Sequence, residues 1–143
     1  MFNPSKDEVR QFFCTTWKKS TQGEVLTPLE AIASDWIRQH PEYESDLADT
    51  ERALEKDYSV DQGRSNPFLH LSMHLSIHEQ ISVDQPPGIR DASEALIKRL
   101  GSVHDAHHLI MECLGEMLWS SQRNGTPPDG ESYIHCIRQR ASQ

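Results

Sequence analysis

No stretch of this chain holds more than three consecutive hydrophobic residues, so it lacks the run of about 20 apolar residues that a membrane-spanning helix needs. Basic clusters are equally scarce. Lys18-Lys19 and Arg138-Gln139-Arg140 are the densest, and the formal net charge is −8; a general nucleic-acid binder carries a basic stripe, and none is present. Cysteine is limited to Cys14, Cys113 and Cys136, with no CxxC pair. An odd count without such spacing reads as buried, reduced thiols in a cytosolic protein. The opening residues Met1 to Glu8 become acidic at once and form no apolar core of a signal peptide. The expected location is cytoplasmic, with no nucleic-acid or membrane partner.

The usual catalytic devices are missing too. There is no GxGxxG, no P-loop, no nucleophile elbow and no HExxH, since His78-Glu79 runs on into Gln80-Ile81-Ser82. No segment alternates apolar and polar residues as a half-buried strand does. Internal repeats and low-complexity tracts are absent. With 36% hydrophobic and 25% charged residues over 143 positions, the composition is that of a soluble globular protein, expected as one domain over residues 1–143.

What remains is helical signal from end to end. Ser5-Lys6-Asp7-Glu8 is a capping box that opens a helix toward Lys19, and Thr27-Pro28-Leu29-Glu30 opens another that runs through Gln39. After Pro41 an acidic stretch reads as one helix, carrying Leu47, Ala53, Leu54 and Tyr58, with a break near Asp49-Thr50. Residues 61–65 read as a loop. Asn66-Pro67 caps a helix reaching about Ile81, and Ile89 to Leu100 forms a short one stopped by Gly101. Ser102 opens a long helix that ends at Asn124 before Gly125, and a last short helix holds Tyr133, Ile134 and Ile137. The fold class is therefore all-α, a bundle of about five to seven helices.

Two of these helices carry the chemistry. NPFLHLSMHLSIHEQ places His70, His74 and His78 four residues apart; HDAHHLIMECLGEMLW does the same for His104, His108, Glu112 and Glu116. Each four-residue step returns to nearly the same helix face, drifting by about 40°. The first three histidines fall in the middle of an apolar arc with Met73, Ile77 and Ile81. The second series shares its side with Met111, Gly115 and Trp119. Glycine costs about 1 kcal/mol in a helix interior, which a close approach of another helix at Gly115 explains. His107 points away from His104 and His108 and reads as an edge residue, His40 before Pro41 reads as a helix C-terminal cation, and His135 as a surface or half-buried residue.

Three chemistries fit this pattern. His70, His74, His78, His104, His108 and Glu112 supply donors for a divalent transition metal, zinc or iron, because i, i+4 pairs send both arms off one face. The same groups also suit a metal-free His–Glu hydrogen-bond network that fixes two facing helices, in a protein that meets a protein partner or a second copy of itself. A His–Glu acid–base pair is the third. The HxxxH and HxxxE pairs are similar to those of hemerythrin-like di-iron bundles. The HxxxxD element of those bundles and the ExxH pairs of ferritin-like ones are missing, so a single ion is easier to build.

The stretches MFNPSKDEVRQFF, LTPLEAIASDWI with HPEY, NPFLHLSMHLSIHEQISVDQPPGIR, HDAHHLIMECLGEMLW and GTPPDGESY closely resemble the bacterial domain-of-unknown-function family 1841. The likeness spans nearly the whole chain. It implies a small stand-alone bacterial protein of the cytoplasm, and it carries over no catalytic residue. Metal-binding bundle and metal-free interaction module both stay open.

Overall fold

The computed structural model describes residues 5–56 and 66–143. Among these, every regular element is helical, with eight α-helices rather than five to seven, one 3-10 turn and no strand. The surplus arises after Pro41. A 3-10 turn at Pro41–Tyr43 is followed by α3 (Glu44–Ala48) and α4 (Thr50–Glu55), separated by Asp49. Asp49 adopts extended backbone and its carboxylate accepts the Arg52 N–H at 3.1 Å. That cap turns the expected break into a new helix start. Tyr58 and the expected loop at 61–65 lie outside the described residues.

The chain divides into two compact units, Met1–Leu75 and Ser76–Gln143, with the boundary inside α5 (Pro67–Val83). In the N-terminal unit, α1 (Lys6–Thr21) packs against α2 (Pro28–Arg38), α3 and α4. Both starts are the reciprocal caps read in the sequence. The Glu8 N–H donates to the Ser5 hydroxyl at 3.1 Å, and the Glu30 N–H to the Thr27 hydroxyl at 3.2 Å. Glu30 is buried and also accepts from Lys19 at 3.1 Å. The Thr27 backbone N–H, and then Lys19, hold its carboxyl below the ordinary glutamate range.

Phe13, Cys14, Ala33, Trp36, Ile37, Leu47, Ala53, Phe68 and Leu71 form the core of this unit. One charge enters it. Arg10 is 3% exposed and donates from one Nη to the Ala53 and Lys56 carbonyls, each at 2.9 Å. These are carbonyls at the end of α4 with no acceptor role left inside that helix, so a buried guanidinium serves as its C-terminal cap.

In the C-terminal unit, α6 (Ile89–Leu100), α7 (Val103–Asn124) and α8 (Gly130–Ala141) pack against one another. Gly101 and Gly125 end α6 and α7 at φ 71° and 64°, left-handed backbone that only glycine enters without strain. The fully buried residues include Ile77, Ile89, Leu96, Ile110 and Ile137. Tyr133, also buried, donates its hydroxyl to the Gln80 side-chain oxygen at 2.7 Å, and burial pushes its pKa up.

Three local expectations are corrected here. Cys113 and Cys136 are joined in a disulfide between α7 and α8, their Cα atoms 5.8 Å apart, and only Cys14 is a buried thiol. Two helices packed side by side put the pair within disulfide reach, a proximity that spacing along the chain cannot reveal. Trp119 is 59% exposed and stacks under Arg123 at 5.0 Å instead of joining an apolar side. A Cβ added at Gly115 would meet nothing within 4 Å, so no close helix approach explains that glycine.

Candidate metal centre

Imidazoles gather in each unit. His40 follows α2 four residues after Trp36, which carries it round to the buried side of that helix; it is 3% exposed. Its Nδ1 lies 2.8 Å from the Trp36 carbonyl. A carbonyl only accepts, so Nδ1 carries the proton and the lone pair of the neutral ring sits on Nε2. His40 thus closes the C-terminal end of α2, where the sequence puts it, but as a buried, oriented ring.

α5 brings the other two. His74 is fully buried and His70 half-buried. The Nε2 atom of His70 stands 3.1 Å from Nε2 of His40 and 3.1 Å from Nε2 of His74. The three ring centroids are 4.7 to 5.1 Å apart. Trp36 stacks on His74 at 3.9 Å with 14° between planes, and Tyr43 stacks on His40 at 5.2 Å. Aromatic walls and a backbone carbonyl thus fix the rings while their Nε2 atoms turn toward one another.

The proton count at these contacts is informative. With the His40 proton on Nδ1, a hydrogen bond between His40 and His70 requires the His70 Nε2 to donate. That nitrogen then has no lone pair with which to accept from His74. One neutral arrangement therefore makes at most one good hydrogen bond of the two 3.1 Å approaches. A cation that receives all three lone pairs satisfies both. Two nitrogens bound at about 2.0–2.1 Å to one ion, at angles from about 90° to tetrahedral, stand about 2.8–3.4 Å apart. The observed spacing lies in that range.

The C-terminal unit holds His78, His104, His107 and His108. His104 and His108 occupy successive turns of α7, half-buried, with ring centroids 4.3 Å apart. His107 is 3% exposed, not the edge residue expected. Burial first, and then the neighbouring His78, His108 and His104, push its pKa down to about 4. His78 is exposed, and so are Glu112 and Glu116. Arg140 of α8 holds the two carboxylates, at 3.4 Å to Glu112 and 3.9 Å to Glu116. Of the six sequence-predicted ligands, then, His70 and His74 meet each other and the unpredicted His40, His104 and His108 form a pair, and His78 and Glu112 face solvent.

Histidines able to hold a metal ion are therefore present among the described residues, with His40 and His74 as their buried members. His40 was findable, since Trp36 and His40 share an i, i+4 register. The residue before a proline nevertheless reads more readily as a helix end. Among the described residues, no helix is long and apolar enough to cross a membrane. No curated protein and no solved structure matches the chain. The family described as "Domain of unknown function (DUF1841)" matches residues 5–139, and the chain belongs to that family.

Proposed function

We propose that this is a metal-binding protein holding one divalent transition-metal ion, zinc or iron, on imidazole nitrogens. His40, His70 and His74 are the ligands of the proposed site. In support, histidines able to hold a metal ion are present among the described residues, with His40 and His74 buried. Imidazole ligands without carboxylate or thiolate suit zinc, iron, copper or nickel rather than magnesium or calcium. His78 and Glu112 are left out of the set because both are exposed.

The observation that carries this reading is the 3.1 Å approach of the His70 Nε2 to the Nε2 atoms of both His40 and His74, with the second nitrogen of His40 committed to a backbone carbonyl. Metal-ligating histidines almost always fix their ring through such a bond, which sets the tautomer and aims the free lone pair. The ion in this reading joins segments far apart in the chain, and its binding energy adds to folding.

The test uses the full-length, untagged protein purified without chelator, with zinc and iron counted per chain by elemental analysis. One ion per chain is expected. It should be lost in His40→Ala and His74→Ala and kept in His135→Ala, whose side chain is exposed. Helicity by circular dichroism shows that each variant is folded. A wild-type chain that takes up neither zinc nor ferrous iron from excess, or a folded His40→Ala/His74→Ala double variant that binds as before, overturns the reading.

A further inference from the structure

The C-terminal unit contains a second chemically distinct place, which owes nothing to the histidines. A cavity of about 320 Å³ lies between α7, α8 and their connection, lined among others by Cys113, Glu116, Ser120, Asp129, Ser132 and Cys136. The disulfide forms part of its wall. The two sulfurs are unequal: Cys113 is 1% exposed, whereas Cys136 is half-buried. Glu116 Oε2 lies 3.7 Å from the Cys136 sulfur.

We infer that the Cys113–Cys136 bond is a reversible thiol–disulfide exchange site, opened at Cys136 by a small amine-bearing thiol that enters this cavity. The thiolate of the small molecule attacks the Cys136 sulfur. A new S–S bond forms there as the Cys113–Cys136 bond breaks, and Cys113 leaves as a thiolate that takes a proton from water. A second molecule of thiol then displaces Cys136 from the mixed disulfide. The protein has gained two electrons and two protons, and two small thiols have become one small disulfide.

Three features support this site. Both cysteines line the cavity, but attack follows access, and Cys136 is the more exposed of the two. The reduced state has a place for its new proton, because a Cys136 thiol beside Glu116 can donate to that carboxylate. The cavity lining holds Glu116 and Asp129 but no lysine, arginine or histidine; Arg140 meets Glu116 only from 3.9 Å, at the carboxylate oxygen other than the one beside Cys136. A cationic or neutral thiol therefore meets attraction or indifference where an anionic one meets repulsion. Cys14 takes no part: it is 2% exposed, and burial pushes its thiol pKa up.

The experiment exposes the folded full-length chain to cysteamine and, in parallel, to 3-mercaptopropionate at equal thiolate concentration. Samples are quenched in acid, alkylated and mapped by peptide mass spectrometry. The expected result is a cysteamine adduct on Cys136, several-fold faster opening by cysteamine than by the anionic thiol, and a narrower gap in Glu116→Gln. Added cystamine should restore the bond by the reverse exchange. With cystamine as the reagent, a Cys113→Ser chain should form the mixed disulfide at Cys136, releasing cysteamine, more readily than a Cys136→Ser chain forms it at Cys113. Adducts at Cys113 in equal or greater amount overturn the inference. So does a bond that opens only where circular dichroism shows unfolding.

Discussion

At the residue scale, His107 makes the clearest demand on solution conditions. Its folded pKa of about 4 lies below the ordinary 6.5, so the fold favours the neutral ring. Between those values the unfolded chain binds the extra proton and the folded chain does not. Stability from this residue is therefore complete above about pH 6.5 and drains away as pH falls toward 4, by about 3 kcal/mol at most. Chemical denaturation of the chelator-treated protein at pH 7 and pH 4.5 should show the loss. His107→Gln, which keeps a polar group but no titration, should flatten the dependence. His78, His104 and His108 surround it electrostatically, so an unchanged slope in that variant would assign the acid sensitivity to them instead.

The element scale shows what a linear sequence reveals. Helix starts were readable because a cap is local: Ser5 with Glu8, Thr27 with Glu30 and Ser102 with Asp105 close within three residues. Helix stops at Gly101 and Gly125 were readable for the same reason, since left-handed backbone is a property of one residue. The Cys113–Cys136 pair and the Nε2 contacts of His40 were not, because they depend on which helix lies beside which. Periodicity correctly set His74 of α5 among apolar residues, but it put the exposed His78 there too, and it could not say which neighbour their nitrogens find. It also overreached at Gly115. With nothing near an added Cβ, Gly115→Ala should recover the helix propensity that glycine forgoes, about 1 kcal/mol. A rise of a few degrees in melting temperature is the expected reading, and a fall would mean that the backbone of α7 needs glycine there.

For the molecule as a whole, the proposed ion and the expected single domain make one joint prediction. An ion held at a hundredfold above its dissociation constant stabilises the folded form by about 2.7 kcal/mol. Scanning calorimetry of the zinc- or iron-loaded chain should therefore give one transition at a higher temperature than the chelator-treated chain. Two separate transitions in the loaded protein would mean that its units, Met1–Leu75 and Ser76–Gln143, melt independently. A temperature indifferent to chelator would mean that no ion contributes.

The stacking of Trp36 on His74, 3.9 Å face to face, gives the N-terminal unit an optical property. An indole resting on an imidazole is quenched more strongly when that ring gains positive charge, whether from a proton or from a coordinated cation. The chain thus carries its own fluorophore at the place of interest, and occupancy can be followed by ultraviolet emission in dilute solution without a dye or a label.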